Sequence, residues 1–216
     1  MLKLENISYR YKNSDKDVLK EVAAEFEAGK MTAIIGPSGS GKTTLLSIMA
    51  GLDRPSSGAV YINGDDIAGL DLFQYRRERI SMIFQAFQLF PLLRAIENVR
   101  YPMEMNKIEK SIATKRAAEF LESVGIDESK HKRYPSNLSG GEQQRVAIAR
   151  ALSGGAKVIL ADEPTGNLDK ANGEAVISIL KKLAHEDNYC IIVVTHNLEI
   201  AEASDVVYRM SDGVLS

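Results

Sequence analysis

Gly36-Pro37-Ser38-Gly39-Ser40-Gly41-Lys42-Thr43 matches the pattern G-x-x-x-x-G-K-[ST], and its flanks give the match physical meaning. The apolar run Met31-Thr32-Ala33-Ile34-Ile35 precedes it and Thr44-Leu45-Leu46-Ser47-Ile48-Met49-Ala50 follows, so the order is strand, glycine loop, helix. Glycines let the backbone curl until successive N–H groups point at one anion, and the helix N-terminus adds its partial positive charge at the same spot. Lys42 then reaches the β- and γ-phosphates, and the Thr43 hydroxyl is placed to ligate Mg²⁺. The stretch predicts that the chain binds a nucleoside triphosphate.

At 216 residues, 44% of them hydrophobic, the chain is long enough for one α/β domain with a full core and an inserted subdomain. The formal net charge of −2 gives no global electrostatic case for a nucleic-acid partner. The single cysteine, Cys190, adjoins Ile191-Ile192-Val193-Val194, cannot form an intrachain disulfide and reads as a small buried strand residue. No apolar stretch approaches the roughly 18–20 residues that span a bilayer, and the N-terminus lacks the basic, apolar, small-residue order of a secretion signal. The chain thus reads as intracellular, with any membrane association made through a partner.

Short apolar runs bounded by turn residues recur at 31–35, 80–84, 158–161 and 191–194, the pattern of a buried, mostly parallel sheet with helices between its strands. The first part differs. Leu2 to Tyr9 alternates, Val22 to Phe26 alternates weakly, and Val60-Tyr61-Ile62 runs into the turn signal Asn63-Gly64-Asp65, which predicts antiparallel strands beside the nucleotide core. Between Phe87 and Ala151 strand signals fade, while Ile112, Ala113, Ala117, Phe120, Leu121 and Val124 fall near helical spacing. We read 87–151 as a helical insertion into a single domain spanning 1–216, whose core comprises 1–86 and 152–216. A second glycine cluster, Leu138-Ser139-Gly140-Gly141-Glu142, lies near the end of the insertion and leads into the helix-compatible Val146 to Leu152.

Val158-Ile159-Leu160-Ala161 ends in two adjacent carboxylates, Asp162 and Glu163. In nucleotide hydrolases a carboxylate so placed holds Mg²⁺ through its water shell, and a following acid polarises the attacking water. Paired with the phosphate loop, Asp162 is assigned to the metal and Glu163 to the water.

The phosphate loop, Gln85 after the strand 80–84, Leu138-Ser139-Gly140-Gly141-Glu142, Asp162-Glu163, Asn167-Leu168-Asp169 and Thr195-His196 occur in the order of an ATP-binding cassette (ABC) ATPase, and the resemblance covers essentially the whole chain. It implies a P-loop NTPase (RecA-like) α/β core with an N-terminal antiparallel β subdomain and an inserted helical subdomain. By resemblance, ATP and Mg²⁺ are the cofactors. Tyr11 resembles the aromatic that stacks on adenine, with Tyr9 as the competing candidate. Residues 36–43, together with Thr44, resemble the phosphate cradle. Thr43, Gln85 and Asp162 resemble the groups around Mg²⁺, and Gln85 also the link between core and helical insertion. Glu163, His196, Gln85 and Lys42 resemble the catalytic set, His196 as the residue that touches the γ-phosphate.

The signature implies a partner. In the family Ser139 and Gly141, with Gly140 and the fifth position, contact ATP held by a second copy, so each chain would carry two half-sites and a head-to-tail dimer would sandwich two nucleotides. Asp169 would lie near the subunit boundary. The fifth position is Glu142 where many members have glutamine, which adds a negative charge near the shared site.

Gly51-Leu52-Asp53 and Glu97-Asn98-Val99, with residues 161–169, resemble the branch of lipoprotein-release, macrolide-export, antimicrobial-peptide-export and cell-division ATPases. Those pair with separate membrane subunits. The resemblance implies an ATP-hydrolysing subunit of an exporter or mechanotransmission transporter, held on the cytoplasmic face of the membrane by that partner. The alternatives are an importer ATPase, against which the end at Ser216 weighs because importers commonly carry a further C-terminal domain, and a cell-division-type ATPase that acts on the envelope without moving a substrate. Phe87, Leu89, Phe90, Pro91, Leu92 and Leu93 are unusually apolar for a connection; with Tyr101, Pro102 and Met103 they suggest a cleft for a short helix of the membrane partner.

Overall fold

All five residues of β3 (Met31–Ile35) are buried, because this strand lies inside a sheet covered on both faces. The computed structural model describes residues 1–12 and 16–216. In chain order the elements are β1 (Leu2–Tyr9), β2 (Leu19–Phe26), β3, α1 (Lys42–Met49), β4 (Ser57–Ile62), β5 (Asp65–Asp66), α2 (Leu72–Glu78), β6 (Ile80–Ile83), α3 (Ala95–Met105), α4 (Lys110–Ser123), α5 (Gly140–Ser153), β7 (Val158–Asp162), α6 (Lys170–His185), β8 (Cys190–Thr195), α7 (Leu198–Ala203), β9 (Val206–Ser211) and β10 (Val214–Leu215).

Two sheets result. One is antiparallel, in the order β2-β1-β4-β5, with β4 and β5 joined across Asn63-Gly64, both at positive φ as a tight hairpin turn requires. The other runs β10-β9-β3-β8-β7-β6 and is parallel except for the edge strand β10. Side chains alternate across the parallel strands and feed two cores. Ile34, Val158, Leu160, Ile192 and Val194 pack with Leu45, Leu46 and Ile48 of α1 and with Leu2, Leu4 and Val60 of the antiparallel sheet. Ala33, Ile159, Ala161, Ile191 and Val193 share the other core with Val176 and Leu180 of α6, Val146 and Ile148 of α5, Val99 of α3 and Leu121 of α4. Each fully buried Leu, Ile or Val contributes roughly 1.5–3 kcal/mol, so the helices of the insertion are fastened to the sheet through shared apolar area. Cys190 is buried in β8, and burial pushes its thiol up to about 11.

Helices α3, α4 and α5 occupy the stretch 87–151, with α5 running past it to Ser153. The expected cleft residues divide between the faces of α3. Met103 is 1% exposed and packs into the core, apart from the groove lined by Tyr101 and Pro102, while Tyr101 and Met105 stay exposed on the other face. Leu92 is 86% exposed. Asn98, fully buried, fixes the preceding connection: its Oδ1 accepts from Phe90 N–H (2.8 Å) and its Nδ2 donates to the Phe90 (3.2 Å), Leu93 (2.9 Å) and Arg94 (3.2 Å) carbonyls. Among the described residues no helix is long and apolar enough to cross a membrane.

Candidate nucleotide site

The parallel register puts three loops at one edge of the sheet. Ile35 lies opposite Thr195 and Asp162 opposite Val194, so the turns after β3, β7 and β8 bring Gly36, Glu163 and His196 to the carboxyl ends of adjacent strands, where ligands bind in open α/β sheets. A Cβ on Gly36 would meet the Met210 carbonyl oxygen at 2.1 Å, so only glycine lets the loop pass β9 this closely. Lys42 Nζ is folded back onto the Gly36 and Pro37 carbonyls at 2.8 and 2.9 Å, and Ser40 Oγ is buried with no partner. A cationic donor parked on the loop's own carbonyls and an orphaned hydroxyl inside the curl fit an anion with many acceptors.

The Thr43 hydroxyl faces the Asp162 carboxylate. Burial raises the Asp162 pKa above its ordinary value, and the neighbouring Glu163 charge adds to the rise; the Thr43 hydrogen bond and Lys42 oppose it. A partly buried carboxylate beside a hydroxyl is the oxygen-donor chemistry Mg²⁺ takes when phosphates supply further ligands. Among the described residues no group of three His, Cys, Asp or Glu could hold a metal by protein ligands alone.

Glu163 has φ 47, and its backbone N–H donates to the Val194 carbonyl at 2.9 Å, which ties the turn to β8. Its carboxylate accepts from the Thr195 hydroxyl (2.9 Å), the His196 N–H (3.1 Å) and His196 Nδ1 (2.7 Å). Gln85 is exposed and bonded to the segment after Glu163: its Nε2 donates to Asn167 Oδ1 at 3.3 Å and its carbonyl accepts from Asn167 Nδ2 at 3.0 Å. The structure therefore brings Thr43 and Asp162 together but turns Gln85 toward Asn167. Tyr11 is 47% exposed and its hydroxyl meets Thr44 Oγ1 at 2.9 Å, above the first turn of α1, with Tyr9 edge-on to it at 5.0 Å. Tyr9 packs against the core, while the Tyr11 ring stays exposed.

The signature begins α5. Ser139 caps the helix, its Oγ accepting from Glu142 N–H at 3.3 Å while Glu142 Oε2 accepts from Ser139 N–H at 2.8 Å, a reciprocal capping box. A Cβ on Gly141 would fall 2.0 Å from Asn172 Oδ1, so α5 can approach the start of α6 only with glycine there. Asn172 is held in turn by Asp169, the N-cap of α6. Two contacts escaped the sequence. Lys130 Nζ sits 2.6 Å from Glu142 Oε1 and, chiefly through that hydrogen bond, holds the carboxyl below the usual carboxylate range. Arg150 donates to the Phe87 carbonyl at 3.0 Å and to the Gln88 carbonyl, spanning the two left-handed residues that follow Gln85.

Residues 19–166 match the family described as ABC transporter. The chain is 41% identical over 221 residues to the uncharacterized ABC transporter ATP-binding protein MJ0796 of Methanocaldococcus jannaschii, covering 99% of this chain and 94% of that protein. It is 42% identical to the lipoprotein-releasing system ATP-binding protein LolD 2 of Rhodopirellula baltica, with 96% and 85% covered. It is 46% identical to the macrolide export ATP-binding/permease protein MacB of a Shewanella strain, of whose length it spans 31%. The dimeric structure of MJ0796 superposes with a TM-score of 0.91, covering 100% of this chain and 97% of that one, as does a dimeric post-hydrolysis state bound to ADP and Pi.

Proposed function

The chain belongs to the ABC transporter ATP-binding family, and from that premise we propose that it powers a separate membrane transporter of the export or mechanotransmission type by closing as a dimer around two ATP molecules. It is an ABC ATPase with the mixed α/β cassette fold and relatives among the macrolide-export and lipoprotein-release proteins. The observation that supports the ATP-hydrolysing part of this reading is the placing of Thr43, Asp162 and Glu163 together where the phosphate loop faces the end of β7.

In this reading Lys42 leaves its loop carbonyls for the β- and γ-phosphates, and Tyr11 leaves Thr44 to stack on the base. Thr43 and Asp162, joined by Gln85, would hold Mg²⁺, which when bound neutralises phosphate charge. Glu163 accepts the proton of the attacking water, and His196 turns to the γ-phosphate. Ser139 Oγ accepts from Glu142 N–H, so its own proton is free to donate, and with the N-terminal N–H groups of α5 it faces the nucleotide of a second copy. Closure is favoured only while a γ-phosphate bridges the halves, so hydrolysis reopens the dimer.

The membrane partner is assigned to an apolar groove of about 450 Å³ between α2 and α3, whose lining includes Leu52, Phe73, Phe84, Phe90, Tyr101 and Met105. It borders the segment anchored by Arg150 and Asn98 and continuous with Gln85, which supports its receiving a short helix from the transporter. The chain would thereby sit on the cytoplasmic face of the membrane. Glu163→Gln tests the assignment: it should keep ATP affinity, lower turnover by about 10²-fold or more and accumulate an ATP-bound dimer in size measurements with ATP and Mg²⁺. Near-normal hydrolysis by the variant overturns it.

A further inference from the structure

We propose that Lys130 is a positioning residue of the shared nucleotide site: by pairing with Glu142 it cancels the charge at the fifth signature position and keeps Ser139 aimed at the phosphate of a second copy. The proposal rests on the dimer reading above. One carboxylate does both jobs, its Oε2 accepting from Ser139 N–H at 2.8 Å and its Oε1 from Lys130 Nζ at 2.6 Å. The Glu142 side chain is only 14% exposed and that of Lys130 32%, so bulk salt screens the pair less than a surface ion pair.

Lys130 acts from a fixed base. It ends a short helical turn, Glu128–Lys130, capped by Asp127, and the next residue, His131, is buried with Nε2 3.0 Å from the Ile126 carbonyl oxygen. The His131 and Arg133 carbonyls accept from the Ile96 (3.0 Å) and Ala95 (2.8 Å) N–H groups at the start of α3. The lysine is thus tied to the helix that follows the apolar connection, and through Glu142 it ties the signature to the same frame.

The physical need is electrostatic. An unpaired carboxylate at the third residue of α5 would oppose the positive end of that helix at the place where a triphosphate must dock. Paired with Lys130, it keeps its hydrogen bond to Ser139 without repelling the anion. A glutamine at 142 would accept from Ser139 N–H without needing a counter-ion, so the lysine matters only while residue 142 is charged.

The test uses the full chain in a Glu163→Gln background, titrating ATP with Mg²⁺ and reading dimer by sedimentation, with ADP binding to the monomer measured separately. Lys130→Met should raise the ATP concentration for half-dimerisation about tenfold, an effect that shrinks at high salt, while ADP binding is unchanged. Lys130→Arg should stay near the parent. Adding Glu142→Gln to Lys130→Met should restore dimerisation, a rescue that a purely structural role of Lys130 would not produce. Ser139→Arg separates the two levels of argument: if it dimerises like the parent, the shared-site reading falls and this proposal with it. If Ser139→Arg is blocked but Lys130→Met dimerises at the parent's ATP concentration, or Glu142→Gln fails to rescue it, the role of Lys130 alone is overturned.

Discussion

Glu163 and His196 are joined twice, since both the backbone N–H and Nδ1 of His196 reach Glu163 Oε1 while the Thr195 hydroxyl takes Oε2. A carboxylate only accepts, so Nδ1 carries the proton of the 2.7 Å contact. The Glu163 side chain is 16% exposed and that of His196 73%, which leaves the histidine as the member free to swing toward a phosphate. In the proposed cycle Glu163 keeps its contacts to Thr195 Oγ1 and the His196 N–H and gives up only the Nδ1 contact when the imidazole swings away. His196→Ala should release that hold yet remove the γ-phosphate contact, so turnover should fall about 10²-fold with ATP affinity nearly unchanged. Separate measurement of single-turnover hydrolysis and of equilibrium ATP binding checks this; equal losses in both would show that His196 serves binding instead.

Asp162 carries a stability cost at a position of the candidate site. Its folded pKa is raised above the ordinary 3.8, first by burial and then by Glu163. For an acid with a raised folded pKa, stability is fully present below the unfolded value and is lost as pH rises through the folded one. Asp162→Asn should accordingly raise the Tm of the nucleotide-free protein at neutral pH, and the gain should vanish as pH falls below about 4, where the wild-type carboxyl is protonated in both states. The same variant should lose Mg²⁺-dependent hydrolysis. Thermal melts across pH, without nucleotide, are the measurement, and a lower Tm at neutral pH would contradict the argument.

The central strands were legible because a strand buried on both faces reads as an unbroken apolar run, as at 31–35 and 191–194. The hairpin at Asn63-Gly64 was legible because its backbone demands those residue types. Strand β9 was not singled out: on one side only β10 pairs with it, and its burial alternates, so Val207, Tyr208 and Arg209 give no continuous signal. Met103 was misplaced because apolar residues two apart in sequence, here Tyr101 and Met103, point to different faces of a helix. The phosphate-loop and strand-end residues of the candidate site stand out by motif, whereas Lys130–Glu142, Arg150–Phe87 and Gln85–Asn167 join residues distant in sequence and exist only once the chain is folded.

If Ser139 serves the nucleotide of a second copy, its loss and the loss of Lys42 should behave differently. Ser139→Arg should leave monomeric nucleotide binding intact and block dimer closure, whereas Lys42→Ala should weaken binding itself by about tenfold or more. Mixing the two variants rebuilds one proper composite site per dimer, so hydrolysis should reappear in the mixture. Calorimetric titration of each monomer decides the matter: equal loss of ATP binding in both would place the signature in its own subunit's site.

The groove beside α3 offers the last test, because its floor is tied to the site and its rim is free. Phe90 is 42% exposed, stacks edge-on to Tyr101 at 5.1 Å and lies under the Arg150 guanidinium at 5.9 Å, while Arg150 also holds the carbonyls that follow Gln85. A helix seated on this ring would feel any shift of the Gln85 connection. Phe90→Asp puts a charge where apolar area should dock, and since the ring is half-exposed the folded chain should lose only about 1 kcal/mol. Copurification of the membrane partner should drop about tenfold or more and transport should uncouple, while ATP binding by the isolated subunit persists. Crosslinking from cysteines placed at 90, 101 and 105 gives the direct readout, and capture of the partner only through another face of the protein would remove the groove from the mechanism.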